Sequence, residues 1–107
     1  MSQYVKPVTA AEWEELMKGD KPVVCDFWAT WCAPCRMLAP VLDGIAEKLQ
    51  DKAVFVKADV DQEESLAAKY RVYSIPCVKI FRGGEEVGES VGFLPEEELT
   101  KIIESYL

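Results

Sequence analysis

The sequence predicts an α/β fold, a mixed β-sheet held between helices. Three observations carry that prediction. Apolar runs that read as buried strands alternate with segments of helical periodicity, and the pattern ends in a strand–turn–strand hairpin before a last helix. The length, 107 residues with half of them hydrophobic, suits one core, so residues 1–107 are expected to form a single domain.

The elements follow in chain order. Tyr4–Val8 reads as a short strand. Thr9 followed by Glu12 has the spacing of a capping box, and Trp13, Leu16 and Met17 continue at helical spacing until Gly19-Asp20. Pro22–Ala29 is a nearly continuous apolar run, as expected of a strand covered on both faces. Leu38, Val41, Leu42, Ile45, Ala46 and Leu49 then mark one face of a long helix, with Pro40 inside the pattern as an expected kink. Ala53–Val60 reads as a second buried strand, and Asp61 with Glu64 as the cap of a short helix carrying Leu66, Ala67 and Tyr70. Cys77–Gly92 reads as a hairpin turning at "RGG". Pro95 opens the last helix. Glu96, Glu97 and Glu98 lie by the positive end of its dipole, and Leu99, Ile102, Ile103 and Tyr106 form its apolar stripe. The alternating first half implies parallel strands with helical crossovers, and the closing hairpin adds antiparallel ones.

Composition narrows the function. A net charge of −7, spread along the chain, argues against nucleic acid, whose phosphates need a basic face. The start lacks an apolar run able to serve as a signal peptide, and no segment is long enough to span a bilayer, so a cytoplasmic protein without membrane attachment is expected. Thiols are kept reduced in that compartment, so a close cysteine pair points to metal binding or catalysis rather than a structural staple.

Such a pair stands in "FWATWCAPCRM", Phe27 to Met37. A structural zinc site usually takes four ligands. Here there is no histidine and no second C-x-x-C, and the other cysteines are Cys25, within a strand, and Cys77, so no metal is expected. Redox chemistry fits better. Cys32 follows a central strand and immediately precedes a long helix, where unpaired N–H groups and the dipole favour a thiolate. Pro34 suits the first helical turn and restricts the dipeptide between the sulfurs. Cys35, one turn inward, is expected to be more buried and less acidic. An accessible acidic thiol beside a shielded one makes a nucleophile and a resolver for thiol–disulfide exchange.

Asp26 is a carboxylate among Val23, Val24, Phe27 and Trp28, and strand alternation points it away from the face of Cys25 and Phe27. It reads either as a hydrogen-bonded core aspartate or as a carboxyl of raised pKa that exchanges protons with Cys35. Lys57, on the next buried strand, is its candidate charge partner or else a snorkelling strand-end lysine.

"WATWCAPC", "DFW", "SIPCVKIF" and "VGF", in this order and spacing, resemble the thioredoxin family over essentially the whole chain. The resemblance implies a mixed five-stranded sheet flanked by four helices, with Cys32 as nucleophile, Cys35 as resolving thiol, and Asp26 and Lys57 buried behind them. Pro76 matches the family's cis-proline, which faces the cysteine pair and leaves neighbouring backbone free to pair with an extended substrate. Trp31, Ile75, Pro76 and Gly92 match the apolar rim that docks target proteins, with Ala33 and Pro34 at the same surface. Trp28 matches a buried active-site tryptophan, which is also compatible with a plain core role. There are departures. Ala33 replaces the usual glycine, putting reduction potential and reductase compatibility in question. Arg36 stands where lysine is common, and Cys77 where threonine is usual. Cys77 and Cys25 read either as small buried residues or as further redox participants.

The implied activity is reduction of protein disulfides by a monomer, with recycling by a partner thioredoxin reductase. No bound cofactor is implied, since no Gly-rich nucleotide loop is present and "RGG" is a turn. A disulfide oxidase or isomerase of the same fold is the first alternative, but its relatives carry a histidine between the cysteines. A non-catalytic binding module is the second, although docking alone requires no thiols.

Overall fold

The computed structural model describes residues 3–107. Its order is β1 (Lys6–Pro7), α1 (Ala10–Met17), β2 (Val23–Trp28), α2 (Ala33–Leu49), β3 (Val54–Asp59), α3 (Glu64–Lys69), β4 (Cys77–Arg82), β5 (Glu85–Val91) and α4 (Glu96–Glu104). The strands form one five-stranded sheet in the order β1-β3-β2-β4-β5. β1 and β2 run parallel to β3, whereas β4 is antiparallel to both β2 and β5. This is the mixed five-stranded sheet with four helices that the resemblance implies.

The faces of the sheet follow side-chain alternation. Val24 of β2 joins Phe55, Val78 and Ile80 beneath α2 and α4, which contribute Leu38, Leu42, Ile45, Leu99 and Ile103. Val23, Cys25 and Phe27 point the other way, to Trp13 of α1, Leu66 of α3 and Phe81. An aromatic cluster closes that side. Trp13 packs edge-on to Phe81 at 5.1 Å, and its indole N–H donates to the Tyr70 hydroxyl at 2.8 Å.

Some expectations are corrected. The first strand is only Lys6–Pro7 rather than Tyr4–Val8. The backbone N–H of Tyr4 goes to the Asp43 carboxylate at 2.8 Å instead of a ladder, and Pro7 has no N–H to give. Pro40 lies inside α2, as the sequence pattern places it, and the helix continues past it to Leu49. α3 takes Glu63 as its N-cap, with no side-chain cap bond, so the expected cap at Asp61 and Glu64 is not made. Pro95 is the N-cap of α4, one residue ahead of the first turn. The hairpin turns at Gly83-Gly84, whose φ values of 60° and 83° are the pair a tight two-residue turn demands. Among the described residues, no helix is long and apolar enough to cross a membrane.

Candidate active site

The site forms where β2 ends and α2 begins. Cys32 is the N-cap of α2, with extended backbone, and its Sγ accepts the Cys35 backbone N–H at 3.2 Å. The sulfur thus occupies the place of a capping oxygen, against unpaired amides and the positive end of a 17-residue helix. Cys32 and Cys35 are joined in a disulfide with their Cα atoms 5.2 Å apart. Both are buried, at 5% and 2% exposure, so the expected contrast between an open and a shielded sulfur is slight in this oxidised form. Ala33 and Pro34, between them in the first turn, are exposed.

Asp26 lies behind the disulfide. It is 4% exposed, and its Oδ1 has no hydrogen-bond partner among the described residues. It lines a cavity of about 70 Å³ together with Cys35, Trp28, Arg36, Leu42 and Lys57. Burial pushes the carboxyl up to about 7, with the Lys57 charge pulling the other way. Lys57 is the register partner of Asp26 across the parallel β2–β3 pair, and its ammonium lies 5.3 Å from the centre of the Trp28 ring. The two share a cavity without an ion pair between them, so Lys57 acts on Asp26 through space.

The rim assembles from three loops. The Ile75–Pro76 peptide is cis, and Ile75 packs against the two cysteines together with Ala29, Trp28 and Val60. Gly92 donates its N–H to the Pro76 carbonyl at 2.8 Å from a backbone with φ of 93°, a conformation that favours glycine. Trp31 is 67% exposed, and its indole N–H donates to Asp61 at 2.8 Å. In the sequence Asp61 reads as a helix cap, and neither pattern nor resemblance assigns a role to Tyr73 or Phe93. Tyr73 is 87% exposed two positions before Ile75, and Phe93 is 39% exposed next to Gly92. Large apolar side chains so close in sequence to rim residues were the available signal.

The remaining cysteines are free and buried. Burial pushes Cys77 up to about 11, the Lys79 charge only partly countering it. Cys25 is raised well above the ordinary thiol range by burial, then by the nearby Asp26 and Cys77. Both sulfurs are protonated at neutral pH and therefore poor nucleophiles.

Comparison with known proteins agrees with this geometry. The thioredoxin family model matches residues 4–105. Curated thioredoxins of Staphylococcus aureus, from strains Mu50 / ATCC 700699 and MW2 among others, are 44% identical over 100 residues, covering 94% of this chain and 95% of theirs. A cysteine pair bridged at the start of the long helix, in a chain so matched along its length, is a thiol–disulfide centre acting on protein disulfides, and the chain belongs to the thioredoxin family.

Proposed function

We propose that this chain, acting as one monomeric domain in the reducing cytoplasm, reduces disulfides of target proteins with Cys32 as nucleophile. The Cys32 thiolate attacks one sulfur of the target disulfide, forming a mixed disulfide, and the other target sulfur leaves as a thiolate. Cys35 then loses its proton and attacks Cys32 Sγ, which releases the second target sulfur and leaves the Cys32–Cys35 bridge. Two electrons pass to the target. Asp26 takes the proton of Cys35: a carboxyl at about 7, sharing a cavity with that residue, is balanced to accept and return a proton near neutrality. Lys57 favours the charged form, which keeps part of the carboxyl deprotonated and available to accept, and helps it return the proton afterwards. A partner thioredoxin reductase restores the dithiol, which makes the chain an electron carrier. No cofactor of its own is required for these steps.

The target docks on Trp31, Ala33, Pro34, Ile75, Pro76 and Gly92. The backbone N–H and C=O of Ile75 make no bond among the described residues, which suits pairing with an extended target segment. One observation carries the reading: the Cys32 sulfur caps α2 while Cys35 backs onto the Asp26 cavity. Insulin reduction by the pre-reduced protein tests it. Cys32→Ser is expected to abolish the reaction, and Cys35→Ser to accumulate a mixed disulfide through Cys32. A trapped adduct on any other cysteine, or full activity of Cys32→Ser, overturns the assignment.

A further inference from the structure

Trp31 presents an anomaly. It is 67% exposed and directly precedes the nucleophile, a place where packing fixes an indole poorly, yet the structure ties it down. The Thr30 carbonyl on one side accepts from Arg36 Nη1 at 2.9 Å. The indole N–H itself donates to Asp61 Oδ2 at 2.8 Å, a bond strengthened by the carboxylate's charge. Asp61 is in turn held at the end of β3. Its backbone N–H donates to Asp59 Oδ1 at 2.9 Å, while Val60 N–H ties that end to the Trp28 carbonyl at 2.9 Å. The Asp61 carboxylate neither caps α3 nor pairs with a lysine or arginine among the described residues. Among the described residues, its one side-chain bond goes to the ring.

We infer that Asp61 is a positioning residue for protein-disulfide reduction, holding the Trp31 ring in its docking orientation beside Cys32 before the target arrives. The inference rests on the reductase reading above. A free, exposed indole samples several rotamers, and a target covering it must order it on binding. A tethered ring is already ordered, so the tether acts on target affinity. It leaves the sulfur chemistry alone, because Asp61 bonds neither cysteine. A small disulfide that reaches Cys32 without covering the ring is indifferent to it.

The test compares insulin, with dithiothreitol recycling the full-length protein between turnovers, against 5,5′-dithiobis(2-nitrobenzoate), with pre-reduced protein reacting stoichiometrically. Asp61→Ala is expected to raise the KM for insulin about three- to tenfold, with kcat and the small-disulfide rate changed by less than about twofold. Asp61→Asn keeps an oxygen acceptor and is expected to restore KM to within about twofold of wild type. In a Trp31→Phe background, which lacks the indole N–H, Asp61→Ala is expected to add no further rise. The Trp31 indole N–H resonance, assigned by its loss in Trp31→Phe, is expected to exchange with water faster in Asp61→Ala than in wild type or Asp61→Asn. An unchanged KM in Asp61→Ala, an equal rise in the Trp31→Phe background, or unchanged indole exchange would each overturn the role. Wild-type protein inactive on insulin would remove the reductase reading and this role with it. Active wild type matched by Asp61→Ala removes this role alone.

Discussion

A carboxyl group 4% exposed, with one oxygen unpartnered among the described residues and the Lys57 charge acting only through space, holds its charge poorly. Asp26 is therefore a stability liability at the near-neutral pH where we propose that it carries a proton. Its folded pKa, about 7, lies above the unfolded value of about 3.9. The folded protein keeps this proton while the unfolded chain loses it, so the stability from the neutral group is complete below about pH 4. That stability drains away as pH rises, and is gone above about pH 7. About three units correspond to about 4 kcal/mol. Asp26→Asn cannot ionise, so its advantage over wild type in the oxidised protein is expected to be small near pH 4 and to approach that value above pH 7, with slower catalysis. Denaturant melts at several pH values check this, and a difference that is flat or shrinks with pH refutes it. The direction in which Asp26 points was legible from strand alternation alone. The cavity was not, since Val5, Ala39, Leu42 and Lys57 come from three separate segments. The sequence alone allows either role for Cys77, and its environment argues for inertness: 2% exposed, pushed up to about 11, with Glu89 3.9 Å from its sulfur. Cys77→Thr is accordingly expected to retain insulin-reductase activity within about threefold. A loss of orders of magnitude would make Cys77 a redox participant.

Local signals fared unevenly among the elements, and the same signature explains why. A polar residue with a glutamate three positions on occurs at Thr9–Glu12 and at Asp61–Glu64. At the first, both halves of the capping box form: Thr9 Oγ1 accepts the Glu12 N–H at 3.3 Å, and Glu12 Oε1 accepts the Thr9 N–H at 2.9 Å. At the second, Asp61 is committed to Trp31, and the short α3 starts later from Glu63. The competing bond comes from a loop 30 positions earlier, which no local window contains. Thr9→Ala is expected to cost about 1 kcal/mol in denaturant melts, with reductase activity unchanged because α1 lies away from the disulfide. A loss below about 0.3 kcal/mol would mean that α1 depends on Trp13 packing rather than its cap. The hairpin hid a feature of the same kind. Lys79 is 3% exposed within the apolar pattern of β4, and it is satisfied across the hairpin by Glu86 at 2.7 Å and Glu89 at 2.8 Å. Register decides those partners, and the irregularity at Ile80/Phe81 that sets it leaves no mark in composition.

At the scale of the molecule, alternation of strand and helix revealed the parallel half, and the glycine turn revealed the hairpin. The strand order β1-β3-β2-β4-β5 needed the structure, because β2 meets β4 across half the chain. That order places β2 at the centre, parallel to β3 on one side and antiparallel to β4 on the other, so its end, where Cys32 sits, is reached by the loop carrying Pro76. Redox state then becomes a property of the whole fold. The bridge spans a sequence separation of only 3, so it restricts the unfolded chain modestly, by about 2 kcal/mol in the chain-entropy account. The oxidised protein is therefore expected to unfold at higher denaturant than the reduced one, by about that free energy and with an unchanged m-value. Urea melts with and without dithiothreitol measure the difference. The thermodynamic cycle gives the number a functional meaning: whatever the bridge adds to folding, folding adds to the bridge. A fold that favours the closed pair favours handing its electrons to a target, which is the direction a reductase requires. A reduced protein more stable than the oxidised one would reverse that sign, and the fold would then favour the oxidase direction.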